Sequence, residues 1–255
     1  MIAINNIEKS FGDSKVLKGI SAIFETGKTN LIIGQSGSGK TVLLKSLLGI
    51  HTPETGTIEF DGRIYSELTT NEKIELRTEI GMVFQGSALF DSMSVEENVA
   101  FPLKMFTNKS KTEIKDRVNV VLNRVNLINS NTKLPSEISG GMQKRVAIAR
   151  AIVNNPKYLF CDEPNSGLDP NTAILIDNLI MEITAEYNMT TVINTHDMNS
   201  VMEIGQNILF LKNGLKAWQG TKDEIFKTDN EAIVEFVYSS NLFKKVREAV
   251  LKENE

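Results

Sequence analysis

Cysteine is nearly absent: Cys161 stands alone in 255 residues, so no intrachain disulfide forms and the chain is expected in a reducing cytoplasm. Long apolar runs are missing too. Stretches such as Asn30-Leu-Ile-Ile-Gly and Tyr158-Leu-Phe-Cys fall far short of the roughly 20 residues that span a bilayer. The opening Met1-Ile-Ala-Ile-Asn-Asn lacks the basic stretch and apolar core of a secretory signal. There is no surplus of positive charge, with 28 Lys plus Arg against 32 Asp plus Glu and a formal net charge of −4. A nucleic-acid backbone is therefore not expected as the main partner. What is present is the composition of an ordinary globular protein, 41% hydrophobic and 24% charged, in a chain long enough to bury a core without disulfide or metal staples.

Residues 2–9 and 15–24 read as strands joined by a turn at Phe11-Gly12-Asp13-Ser14, an antiparallel opening hairpin. Buried-strand patterns follow at 29–33, 80–84, 158–162, 190–195 and 208–212, with helical patterns between several of them. That alternation predicts an α/β architecture with a largely parallel central sheet. The interval from Lys40 to Asp162 is longer than strand–helix–strand alternation needs, and a mostly helical subdomain is expected over about 86–155. Within it, Ile114, Val118, Val121, Leu122 and Val125 form one apolar stripe on a helix over 110–127. A last stripe, Leu242, Phe243, Val246, Ala249 and Val250, reads as a terminal helix docked on protein rather than lipid, because three acidic residues offset four basic ones after residue 240.

Gly34-Gln35-Ser36-Gly37-Ser38-Gly39-Lys40-Thr41 fits the phosphate-loop pattern, follows the apolar strand 29–33 and opens the helical run that begins at Val42. Glycines let backbone N–H groups turn toward a polyphosphate, and the helix start adds partial positive charge. Lys40 would reach the β- and γ-phosphates, and the Thr41 hydroxyl would ligate Mg²⁺. Tyr158-Leu-Phe-Cys-Asp162-Glu163 is an apolar strand ending in two carboxylates. Beside a phosphate loop these divide the labour, Asp162 holding the Mg²⁺ shell and Glu163 accepting a proton from the water that attacks the γ-phosphate. Mg²⁺ rather than zinc is expected from hydroxyl, carboxylate and phosphate ligands without a Cys/His cluster.

With Ile138-Ser-Gly-Gly-Met142 between these motifs, residues 1–220 resemble the nucleotide-binding subunit of ATP-binding-cassette (ABC) transporters, whose signature is Leu-Ser-Gly-Gly-Gln. The resemblance implies a phosphate-loop nucleotide-binding domain with an antiparallel β subdomain, a parallel-sheet core and the helical insertion; beyond it, 221–255 read from their own pattern as a C-terminal helical extension. It implies ATP and Mg²⁺ as ligands and a homodimer in which Ser139, Gly140 and Gly141 of one subunit close over the γ-phosphate held by the other. Gln85 resembles the glutamine that senses Mg²⁺ and the attacking water, and His196 the switch histidine at the γ-phosphate. Asp169, in Ser166-Gly-Leu-Asp169, resembles the loop linking the two sites, and with Pro170 it is also a good helix start. Phe11 sits where the family has a tyrosine on adenine, with a plain core phenylalanine as the alternative. Ile138 and Met142 depart from the signature, but Ser139, Gly140 and Gly141 are intact and a hydrolysis-competent site is expected.

The stretch Ala88-Leu-Phe-Asp-Ser-Met-Ser-Val-Glu-Glu-Asn-Val-Ala-Phe-Pro102, with the Gly-Gly-Met signature, is similar to the ATPases of bacterial phospholipid trafficking, of the maintenance-of-lipid-asymmetry and mammalian-cell-entry (MCE) type. In that family this segment faces a membrane permease. The resemblance thus implies permease partners, an MCE-domain lipid-binding protein, and a peripheral place on the cytoplasmic face of the bacterial inner membrane. The ATPase of an amino-acid, lipoprotein or metal importer shares every nucleotide motif. A soluble ABC ATPase of ribosomes or DNA would carry a second cassette or a long coiled coil, and neither pattern is seen.

Overall fold

The computed structural model describes residues 1–238, so the stripe from Leu242 to Val250 lies outside the described residues. The chain opens with β1 (Ile2–Phe11), β2 (Ser14–Phe24), β3 (Thr29–Ile33), α1 (Lys40–Leu47), β4 (Thr55–Phe60) and β5 (Arg63–Ile64). It continues with α2 (Thr70–Thr78), β6 (Ile80–Val83), α3 (Val95–Phe106), α4 (Lys111–Arg124), α5 (Gly140–Ile152), β7 (Tyr158–Asp162) and α6 (Pro170–Glu186). Then come β8 (Thr190–Asn194), α7 (Met198–Ile204), β9 (Asn207–Lys212), β10 (Leu215–Gly220), α8 (Lys222–Ile225) and α9 (Glu231–Val237). Two compact units emerge, one from Met1–Glu67 and the described residues from Val192, the other Leu68–Thr191.

In the first unit, the opening hairpin forms as expected and widens into an antiparallel sheet in the order β2-β1-β4-β5. Ile2 faces Phe24 on one side and Phe60 on the other, and all three are buried. Side chains alternate across a strand, so Ile7 would fall on the wrong face after Ile4. A register shift between these two residues, with Asn6 at φ 51°, returns Ile7 to the interior. Sequence pattern did not announce β4, whose Thr55-Gly-Thr start is exposed. Strand β3 is buried along its whole length and pairs in parallel with β9, Leu31 opposite Ile208 and Ile33 opposite Phe210. Such burial on both faces suits a continuous apolar strand, and β10 then adds antiparallel to β9.

In the second unit, β6 and β7 pair in parallel, Ile80 opposite Tyr158 and Val83 opposite Cys161. Gly81 is required there, because a Cβ would meet the Ala151 carbonyl oxygen at 2.4 Å. Helices α2, α3 and α4 each start with a reciprocal capping box, at Thr69/Glu72, Ser94/Glu97 and Ser110/Glu113. The predicted stripe of α4 buries Val118, Val121, Leu122 and Val125, while Ile114 is only half-buried. The helix is shorter than its apolar pattern, because Ser110 caps its start and Val125, Leu127 and the left-handed Asn126 belong to the turn that ends it. Arg124 then pairs with Glu186 at 2.6 Å and Glu182 at 3.2 Å on α6.

Candidate active site

The first unit contributes the loop between β3 and α1. Gly34, Gly37 and Gly39 carry φ values of 150°, 78° and 103°, conformations that residues with a Cβ rarely adopt. At Gly34 the need is also spatial: a Cβ would lie 2.3 Å from the Leu211 carbonyl oxygen and 2.6 Å from Ser38 Oγ. Lys40 is buried and its Nζ donates to the carbonyl oxygens of Gly34, at 2.9 Å, and Gln35, at 3.1 Å. The ammonium is thereby held over the loop instead of extending into solvent.

An anion fits this loop. Helix α1 begins at Gly39 with no side-chain cap and no acidic residue in its first turn, unlike α2 to α6, each capped by a side chain. Its first N–H groups are left for another acceptor, at the positive end of the helix dipole. Ser38 Oγ is buried in the loop without a hydrogen-bond partner among the described residues. Thr41, the expected Mg²⁺ ligand, is exposed, and its Oγ1 accepts from Nδ2 of buried Asn194 at 3.3 Å. His196 lies exposed just beyond β8, before α7. Phe11 is 46% exposed, which excludes the core alternative. His51 packs edge-on to its ring at 5.2 Å and Lys9 Nζ sits 5.4 Å from the ring centre, leaving an aromatic surface open to a planar ligand.

In the second unit, β7 delivers Asp162 and Glu163, both half-buried. Glu163 takes φ 47°, a left-handed conformation that costs about 1–2 kcal/mol outside glycine. Its Oε2 accepts from Gln85 Nε2 at 2.9 Å, and that amide also lies 3.5 Å from Ser166 Oγ. Three residues read separately from the sequence are thus brought together. Ser139 caps α5 by accepting from Met142 N at 3.3 Å. Asp169 caps α6, accepting from Thr172 N at 3.1 Å, and its hydrogen bonds with Thr172 hold the carboxyl below its ordinary range. These two helix starts are neighbours, since a Cβ on Gly141 would meet Thr172 Cγ2 at 2.8 Å and one on Gly140 would reach Leu168.

Lys144 and Arg150, both buried on α5, were not singled out from the sequence. Lys144 Nζ donates to the Gln85 carbonyl oxygen, while Arg150 donates to those of Ser87 and Ala88, each at 2.7 Å. Burial pushes the Lys144 ammonium below its ordinary pKa, against the opposing pull of Cys161 and Glu163. Arg150 sits within the apolar run Val146-Ala-Ile-Ala-Arg150-Ala-Ile; a cation in such a run was the available signal. Ser87 and Ala88 are themselves left-handed, at φ 62° and 47°. Asn98, fully buried on α3, gathers the next stretch by accepting from Phe90 N at 2.8 Å and donating to the carbonyls of Phe90, Met93 and Ser94 at 3.0–3.1 Å.

Beside that stretch opens a groove of about 430 Å³ in the second unit, lined by Phe84, Ala88, Phe90, Phe101, Pro102 and Phe106 among others. Phe84, Phe90 and Phe106 are 45%, 41% and 52% exposed. Among the described residues no helix is long and apolar enough to cross a membrane, and no three His, Cys, Asp or Glu side chains converge into a metal cluster.

Residues 17–166 match the family described as ABC transporter. A probable ribonucleotide transport ATP-binding protein, mkl, of Mycobacterium tuberculosis is 39% identical over 236 residues, which are 92% of this chain and 66% of that protein. The methionine import ATP-binding protein MetN of Campylobacter jejuni is 39% identical over 257 residues, covering 94% of this chain and 76% of that protein. Among solved structures, a dimeric bacterial ABC transporter cassette aligns with TM-score 0.78 at 31% identity, over 87% of this chain and 99% of that one. The same cassette in a post-hydrolysis state with ADP and Pi aligns equally well. A component of an ABC transporter complex from Clostridium perfringens aligns with TM-score 0.83 at 30% identity, over 98% of both chains.

Proposed function

The chain belongs to the ABC transporter family, and on that premise we propose that it powers phospholipid transport through a separate membrane permease. As an ABC ATPase subunit it binds ATP with Mg²⁺ and hydrolyses it. The cargo, the division of roles among its residues and its partners are the proposal. The observation that carries the catalytic assignment is the hydrogen bond from Gln85 to Glu163. An amide donating to one carboxylate oxygen orients the group that must take a proton from water.

In this reading Lys40 and the first N–H groups of α1 bind the β- and γ-phosphates, and Phe11 stacks on adenine. Thr41 and Asp162 would hold Mg²⁺, which when bound neutralises charge on the phosphate oxygens. Glu163 accepts the proton of the attacking water while Gln85 keeps its carboxylate in place, and His196 contacts the γ-phosphate. Ser139, Gly140 and Gly141 of a second copy supply further donors to that phosphate, so the working state is an ATP-dependent homodimer. Light scattering of Glu163→Gln with and without MgATP tests this; a monomer under both conditions, also inside the assembled transporter, contradicts it.

The phospholipid assignment is supported by the stretch from Ala88 to Pro102 and by the aromatic groove beside it. An exposed apolar groove directly after the γ-phosphate-sensing Gln85 suits an apolar segment of a permease. Placing Asp at Phe90 is expected to abolish co-purification with the permease while nucleotide binding by the subunit persists. A second reading, the ATPase of another importer, is favoured by the 39% identity to a methionine import protein. Uptake of labelled phospholipid, methionine and ribonucleotide by the reconstituted assembly separates the two. An associated MCE-domain protein belongs to the first reading alone.

A further inference from the structure

Helix α5 carries Ser139 at its start, and five residues further on it places Lys144 against the segment that follows β6. The hydrogen bonds of Lys144 and Arg150 all end on backbone carbonyls of residues 85, 87 and 88. Among the described residues neither cation meets a carboxylate in an ion pair. Burying an ammonium on carbonyl dipoles, with the pull of Glu163 outweighed by desolvation, is a costly way to hold a loop together, and an apolar residue would pack at that position with less loss of hydration. The geometry therefore calls for a role other than stability.

The contact falls on one particular carbonyl. Lys144 fixes the backbone of Gln85, and Gln85 Nε2 reaches Glu163 Oε2 at 2.9 Å. A freed Gln85 backbone would let that amide swing away, because the adjoining Gly86 has open space where a Cβ would stand and the turn's own bonds, Ser87 N to the Phe84 carbonyl at 2.9 Å and Ala88 N to the Gly86 carbonyl at 2.7 Å, do not hold the Gln85 carbonyl oxygen. Arg150 closes the far side of the segment at Ser87 and Ala88, so Lys144 is the contact that sets where the side chain of residue 85 points.

We propose that Lys144 is a positioning residue for hydrolysis, holding Gln85 on Glu163 and tying that pair to the helix that Ser139 begins. The proposal rests on the reading in which Glu163 accepts the proton. Lys144→Met is expected to lower kcat for ATP by ~10–100-fold, the scale of a small misplacement of a catalytic group, with KM changed no more than about twofold. Lys144→Arg, which keeps a charged donor, is expected to return most of the rate. Because Lys144 acts through Gln85, Lys144→Met introduced into a Gln85→Ala background is expected to cost no more than about twofold further.

These rates are to be measured on the full chain in the assembly purified from its own cells, with Glu163→Gln alongside. If Lys144→Met yields no folded protein, Lys144→Leu and the Lys144→Arg variant carry the same comparison in the Gln85→Ala background. Parental kcat in Lys144→Met, or losses that multiply in the double variant, overturns the proposal while the Glu163 reading stands. Parental turnover by Glu163→Gln overturns that reading instead.

Discussion

Two stretches of this chain bend the backbone into the left-handed region by opposite means. In the phosphate loop the positive φ angles fall on Gly34, Gly37 and Gly39, residues that adopt them at little steric cost. In the segment after β6, and again after β7, they fall on Ser87, Ala88 and Glu163, each at a cost of about 1 kcal/mol or more. The glycine loop takes its shape from its own sequence, with Lys40 curled over it. The second stretch must be held from outside, and α5 supplies the hold through Lys144 and Arg150. The geometry of the glycine loop is written locally, whereas the geometry around Glu163 is imposed by packing.

The strongest way to break that contrast is to remove the chemical group from each stretch without disturbing its backbone. Glu163→Gln keeps the strained position and loses the proposed proton acceptor. Hydrolysis is expected to fall ~10²–10⁴-fold with MgATP binding retained, because no phosphate contact is lost. Lys40→Ala is expected to abolish tight MgATP binding. Steady-state hydrolysis and equilibrium binding on both variants check this, and parental hydrolysis by Glu163→Gln would remove the base from the site.

Next in size are substitutions that act on the backbone of the glycine loop. Gly34→Ala forces a Cβ to within 2.3 Å of the Leu211 carbonyl oxygen and is expected to destabilise the fold by about 3 kcal/mol, with loss of nucleotide binding. At Gly37, with φ 78° but no atom within 4 Å of a Cβ, only the conformational cost remains, about 1 kcal/mol. Urea unfolding of the two variants sharpens the comparison by separating space from conformation. Equal losses would mean that conformation alone shapes the loop.

The same contrast explains what the sequence disclosed. The opening hairpin, the strands at 29–33 and 158–162 and the glycine loop were legible because their signals are local: alternation, β-branching, glycine spacing. Glu163 was legible as a carboxylate ending an apolar strand and Gln85 as a member of a family pattern, but not as a hydrogen-bonded pair, since 78 residues separate them. Lys144, Arg150, Asn98 and Asn194 escaped because their partners are backbone carbonyls or a hydroxyl distant in the chain or hidden in a turn. A single sequence carries no period for such contacts. Helix α4 was drawn too long for a related reason, its apolar stripe continuing into a turn that the cap at Val125 and the left-handed Asn126 impose.

The smallest effect tests whether the second stretch is held against its own preference. Ala88 is exposed, lies at φ 47° and uses its carbonyl oxygen to accept from Arg150 at 2.7 Å. Glycine at this position keeps the carbonyl and removes the steric penalty, at the cost of a more flexible unfolded chain. The first effect should win, since the left-handed penalty on alanine is about 1–2 kcal/mol and the unfolded-state cost about 0.4–1 kcal/mol. Ala88→Gly is therefore expected to raise stability to urea by roughly 0.5–1 kcal/mol, the opposite sign to Gly37→Ala. A loss of stability in Ala88→Gly would show that the segment is not strained, and the two stretches would then differ only in residue type.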